Sequence, residues 1–138
     1  MKSEEMVKDY LFRAKRCLKE AETAFEEDDY PGAIRRAQES LELSVKGMLR
    51  YLGVEYPREH DVGDALEAIQ TKLPNYIVDR IPDFKKYLLE LARIRGPAFY
   101  GYEREGIPAS KAFGREYAND ILNAVRNLTS LCFRFLEG

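Results

Sequence analysis

The ten residues from Ile94 to Glu103 read I-R-G-P-A-F-Y-G-Y-E and gather one arginine, three aromatics, two glycines and a proline between two long helical patterns. Arg95, Tyr100 and Tyr102 are the side chains of this stretch that could hold or act on a ligand. Glycine-bearing connections between helices are enriched in both turn chemistry and binding residues. Two readings are therefore open. In one, Arg95 and the tyrosines face a ligand or partner. In the other, Arg95 sits at a helix C-terminus, where the dipole favours a cation by about 0.3–1 kcal/mol. The tyrosines then cover the end of the bundle with their hydroxyls bonded.

A second group is Gln38, Glu42 and Lys46, spaced four residues apart and so stacked along one flank of a helix. It reads either as a solvated, salt-bridged ridge or as a polar row turned towards a partner or ligand. Other chemistries are excluded by what is missing. The glycines form no phosphate loop of the G-x-x-x-x-G-K or G-x-G-x-x-G kind. No serine or cysteine stands in a recognisable nucleophile context, and a His-dependent arrangement would have only His60 to draw on. With one histidine and no paired cysteines, no metal site and no cofactor are expected.

The elements that must position these residues are helices. Val7, Leu11, Ala14, Leu18, Ala21 and Phe25 lay one apolar stripe on a helix predicted from about Ser3 to Glu27. Ile34, Ala37, Leu41, Val45, Met48 and Leu52 do the same from Pro31 to Leu52, with Gly53 as the stop. A short helix is predicted from His60–Asp61 to about Lys72, with Asp61 as its N-cap and Ala65, Leu66, Ile69 and Leu73 facing inward. Between Pro74 and Pro82 a turn or one or two helical turns should lay Tyr76, Ile77, Val78 and Ile81 over the core. The next helix is predicted from Asp83 to Ile94 or Arg95. There the stripe of Phe84, Leu88 and Leu91 meets a charge, and Gly96–Pro97 should break the helix. The last helix is predicted from Ala109 to Glu137. Tyr117, Ile121, Ala124, Leu128, Leu131 and Phe135 form its stripe, and Ala118, Leu122, Val125 and Cys132 a second beside it. Such wide apolar coverage suggests a homodimer contact. No strand pattern or internal repeat appears. The expected fold is an all-α, up-and-down bundle of four long helices plus a short one, as a single domain over residues 1–138.

A chain of 138 residues can bury a core without disulfides or metals. Cys17 and Cys132, far apart within helical patterns, read as small buried apolar residues. The N-terminus is charged throughout and no apolar run approaches a membrane span, so a cytoplasmic protein is expected. The net charge of −2 means that any basic patch is local.

Three segments together carry a family likeness. They are Q-E-x-x-E-x-x-x-K in the second helix, then Y-P-R-E-H-D-V-G-D-A-L, then A-R-x-R-x-x-x-x-Y-G-Y-E. In order and spacing they resemble the HEPN domain (higher eukaryotes and prokaryotes nucleotide-binding), in its small stand-alone prokaryotic form. That resemblance implies a helical bundle, commonly dimeric.

It also implies two kinds of function. Many members of the family are metal-independent ribonucleases or toxins whose signature is an arginine, then a histidine after four to six residues, then a tyrosine two further on. In such chemistry a base takes the 2′-hydroxyl proton and a cation steadies the charged phosphorane. Here the matching pattern is R-x4-Y-x-Y, with Arg95 and Tyr102 kept and Tyr100 in place of the histidine. Tyrosine, with an ordinary pKa of about 10, is a poor base near neutrality. On the ribonuclease reading Arg95, Tyr100 and His60 would be the catalytic residues. On the other reading the chain is a nucleotide-associated binding subunit, not catalytic on its own. It would act with a minimal nucleotidyltransferase in a toxin–antitoxin or defence-like pair. That enzyme adenylylates a tyrosine of the motif in some such pairs, which makes Tyr102 the candidate acceptor and Tyr100 the second. Glu103 and Arg104 beside Tyr102 would steer a nucleotide–metal complex, or would simply be solvated loop charges. Arg95, Tyr100, Tyr102, Glu103, Gln38, Glu42, Lys46 and Arg58 would contact nucleotide, RNA or partner. A purely structural interaction bundle is the third reading.

Overall fold

The computed structural model of the protein describes residues 2–55 and 62–138. Arg58, His60 and the expected cap Asp61 lie outside the described residues. Among those described there is no strand, only an isolated bridge between Tyr102 and Ile107. Four long helices form the all-α bundle: α1 (Lys2–Glu26), α2 (Tyr30–Tyr51), α5 (Ile81–Tyr100) and α7 (Arg115–Glu137). Short helices α3 (Val62–Ala68), α4 (Asn75–Val78) and α6 (Ala109–Ala112) join them, with 3-10 turns at Gln70–Lys72 and Glu103–Glu105. None of these helices is long and apolar enough to cross a membrane.

Helix α2 lies at the centre, packed against α1, α5 and α7. Its start is fixed locally: the Asp29 carboxylate accepts the Gly32 N–H at 3.0 Å, and Pro31 occupies the first turn, where its missing N–H costs nothing. Its end is fixed by Gly53 at φ +71, with the Val54 N–H returning to the Leu49 carbonyl at 2.8 Å. Against α1 it presents small residues. The buried Ser40 hydroxyl donates to the Ala14 carbonyl at 2.7 Å, so the two backbones approach closely. Ile34, Leu41, Met48 and Leu49 meet Leu66, Ile77, Phe84, Leu91, Ile121 and Leu128 in the core. Cys17 and Cys132 are buried and unbridged, as their positions in the helical patterns suggest.

The helix expected to run to about Lys72 ends at Ala68 and a 3-10 turn follows it, and the next long helix starts at Ile81, ahead of the expected Asp83. Two further differences bear on the site. Gly96–Pro97 does not end α5, which continues through Pro97 to Tyr100. Pro97 removes one N–H and its ring crowds the preceding residue's Cβ, but Gly96 has no Cβ to crowd. The turn beyond is held by burial of Ala98 and by the Gly101 N–H, which donates to the Pro97 carbonyl at 2.7 Å. Arg95 is therefore more than a turn short of the helix end and caps nothing. Second, the predicted helix from Ala109 to Glu137 is broken at Phe113–Gly114, both in extended conformation, which separates α6 from α7. Phe113 is buried at that corner, and its burial favours the bend over a continuous helix.

The wide apolar coverage of α7 is absorbed within the chain. Ala118, Ile121, Leu122, Val125, Leu128 and Cys132 are buried, and Tyr117, Leu131 and Phe135 pack half-buried against the core. None of the exposed large hydrophobic residues lies on α7.

Candidate functional site

Two faces with the same helical spacing confront each other across a cleft. Helix α2 contributes Arg35, Gln38, Glu39 and Glu42, and α5 contributes Ala92, Arg95, Gly96 and Phe99, each set at i, i+3, i+4, i+7. One part of the cleft, about 470 Å³, is lined by Arg35, Gln38, Glu39, Ala92, Arg95, Gly96, Phe99 and Tyr100. The adjoining part, about 310 Å³, adds Arg13, Glu42, Leu43 and Lys46 and shares Gln38, Glu39 and Arg95. Arg95 thus stands where the two parts meet.

The charge at position 95 has a geometric cause. Along α5 the buried face drifts from Ile81, Phe84 and Leu88 to Leu91 and Ala98, with Ile94 half-buried. Arg95 is rotated out of the core at the level where the cleft opens. Its guanidinium has no hydrogen bond or ion pair among the described residues, although Glu39 and Glu42 line the same cleft. Those carboxylates are engaged elsewhere. Glu39 pairs with Arg36 at 3.1 Å and accepts from the Cys17 thiol at 3.6 Å. Glu42 accepts from the buried Gln38 amide at 2.6 Å and pairs with Lys46 at 3.0 Å. The Gln38–Glu42–Lys46 row is therefore a hydrogen-bonded and salt-bridged chain along the cleft wall. Four cations, Arg13, Arg35, Lys46 and Arg95, face two carboxylates here, a local basic surplus on a chain of net charge −2.

At the far end Tyr100 and Phe99 are exposed and meet edge to face with centroids 4.6 Å apart. The Arg35 guanidinium lies over the Phe99 ring at 4.2 Å. Arg35, Glu39, Phe99 and Arg13 were not singled out from the sequence. The helical period could have found the first two, since Arg35 and Glu39 extend the Gln38–Glu42–Lys46 flank by one turn. A helix that stops at Ile94 or Arg95 leaves Phe99 unplaced.

Tyr102 and Glu103 are not part of this cleft's lining. Tyr102 opens a tight loop in which its N–H donates to the Ile107 carbonyl at 2.8 Å and the Ile107 N–H donates back at 3.0 Å. Its ring, 40% exposed, stacks on Phe113 at 6.3 Å. Phe113 in turn meets Tyr117, whose hydroxyl donates to Glu90 at 2.6 Å. Burial first, and that hydrogen bond second, hold the Tyr117 phenol well above the ordinary range. Glu103 and Arg104 are exposed in the 3-10 turn and make no ion pair among the described residues. The fold therefore gathers Arg95, Tyr100, Gln38, Glu42 and Lys46 at one cleft and sets Tyr102 and Glu103 apart on a neighbouring loop. No group of three or more His, Cys, Asp or Glu residues among those described could hold a metal ion.

The HEPN domain profile matches residues 7–135 of the chain. Among solved structures, TT1696 from Thermus thermophilus is similar with a TM-score of 0.65 at 21% identity, over 93% of this chain and 96% of that one. At that identity the likeness concerns the fold alone. ST0689, described as an archaeal HEPN homologue, is similar with a TM-score of 0.65 at 26% identity, over 94% of this chain and 97% of that one. No curated protein sequence matches.

Proposed function

The chain belongs to the HEPN domain family, and we propose that it is a nucleotide-associated binding subunit, homodimeric and acting with a minimal nucleotidyltransferase in a toxin–antitoxin or defence-like pair. The observation that carries this reading is the Arg95 guanidinium, unpaired among the described residues, which opens onto a cleft of ligand size between α2 and α5. An arginine without an internal partner keeps its forked donors free for a phosphate. The polar row Gln38–Glu42–Lys46 walls the cleft, and Tyr100 stands at its mouth. Tyr102, on its separate loop, is the site offered to a modifying partner.

A ribonuclease would need a base beside Arg95. Tyr100 follows the arginine at the family spacing, where a tyrosine is a poorer base near neutrality than the family's histidine, and the other candidate base, His60, lies outside the described residues. Binding is therefore favoured over cleavage. The test is a titration of the purified chain with ATP, with Arg95→Ala in parallel, alongside incubation with single-stranded RNA in chelator. Saturable ATP binding weakened about tenfold or more in Arg95→Ala supports the binding reading. RNA cleavage that disappears in Arg95→Ala would replace it with the ribonuclease. Absence of both leaves the structural interaction bundle.

A further inference from the structure

Resting on the reading of this cleft as a nucleotide site, we infer that the Arg35–Phe99 pair is its base-stacking wall, so that the cleft takes one nucleotide unit with its base on Phe99 and its phosphate on Arg95. Phe99 is 54% exposed and Tyr100 66%, and both stand at one end of the cleft. Large aromatics left this open beside a polar cleft are surfaces for another group to cover. Arg35 reaches across from α2 and lies over the Phe99 ring at 4.2 Å, which holds the ring in place by cation–π attraction while more than half of the residue stays open. A fixed aromatic face accepts any nucleobase, because every base has a π-face.

The spacing suits a nucleotide. Arg95 and Phe99 are one helical turn apart on one face, about 6 Å along the axis. A ribose separates base from phosphate by a comparable span. Gly96 flanks them on the cleft side, and a Cβ there would meet nothing within 4 Å. That side of the strip is therefore bare backbone over open space. Gln38 and Glu39 line the opposite wall. A bare phosphate would use Arg95 and leave the aromatic end unoccupied, whereas a base-bearing phosphate uses both.

The test is calorimetric titration of the full chain with AMP, with ribose 5-phosphate and with inorganic phosphate. Wild type is compared with Phe99→Leu, which keeps apolar bulk and removes the ring face, and with Arg95→Ala. Both side chains are exposed, and far-UV circular dichroism verifies the fold. AMP should bind about tenfold more tightly than ribose 5-phosphate. Phe99→Leu should abolish that difference and leave ribose 5-phosphate binding unchanged, and Arg95→Ala should weaken both. Equal binding of AMP and ribose 5-phosphate, or an AMP preference that survives Phe99→Leu, overturns the stacking wall and leaves the phosphate site standing. Loss of self-association in Phe99→Leu with unchanged AMP binding also overturns it, since the ring would then belong to a contact between copies. Failure of all three ligands to bind the wild type removes the nucleotide reading itself.

Discussion

The guanidinium of Arg35 lies 4.2 Å from the centre of the Phe99 ring and so ties the middle of the bundle, α2, to the last turn of α5. That turn exists only because the helix continues past Pro97. The contact and the continuation support one another, and together they turn a sequence that reads as a loop into a wall of the cleft.

Replacement of Pro97 should therefore stabilise the protein. In Pro97→Ala the new N–H can donate to the Arg93 carbonyl, which the proline ring crowds instead. A gain of about 1–3 kcal/mol is expected. Urea unfolding measures it, and a loss of stability would contradict a helix running through residue 97.

Gly101 has the opposite character. It sits at φ +74, and a Cβ there would run into the Ile107 carbonyl oxygen, a backbone atom with no rotamer to yield. Gly101→Ala should cost about 1–3 kcal/mol and disturb the loop that carries Tyr102. Thermal unfolding reports the cost, and amide exchange at Tyr102 and Ile107 reports whether the loop has opened.

Glu42 is the acceptor for the amide of Gln38, which is only 6% exposed. Glu42→Ala should destabilise by about 1–3 kcal/mol, because it strands a buried donor. Glu42→Gln keeps an acceptor and gives up only the half-buried ion pair with Lys46, so most of the stability should return. If Ala and Gln behave alike in chemical denaturation, the hydrogen bond does not matter.

The Cys17 thiol is pushed up to about 11, by burial first and by the Glu39 carboxylate next. Burial also drives the Cys132 thiol far upward. Neither should react with an aromatic disulfide reagent at pH 8 until the chain is unfolded. Both protons are held more tightly in the folded state than in the unfolded one. The stability that Cys17 contributes is therefore fully present below the ordinary thiol range near 9 and is lost as pH rises towards 11. Denaturation midpoints across that range, compared between wild type and Cys17→Ser, check the slope.

With a minimal nucleotidyltransferase partner, ATP and magnesium, the chain should gain adenylate mass. The gain should vanish in Tyr102→Phe and persist in Tyr100→Phe, because Tyr102 is offered on its own loop while Tyr100 belongs to the cleft. Intact-mass spectrometry distinguishes the two, and mass lost only in Tyr100→Phe would exchange their roles.

The helices and their inward faces were legible in the sequence, because repeats such as Ile34, Ala37, Leu41, Val45 and Met48 follow from the helical period and from burial alone, and the family was legible in the order and spacing of three motif segments. Arg95 stood out for the same reason, as a charge on an apolar period. What only the tertiary structure decided was the course of the chain around Pro97 and Gly114, and with it the membership of the cleft. Local propensity argues for a stop at Gly96–Pro97, and it was overruled by burial of Ala98 and by the Gly101 cap. The partition of the tyrosines followed from that. Tyr100 stays on the helix beside Arg95, while Gly101 turns the chain and carries Tyr102 to Phe113. Two residues apart in sequence, they are assigned to different surfaces by one backbone conformation that only glycine adopts without strain.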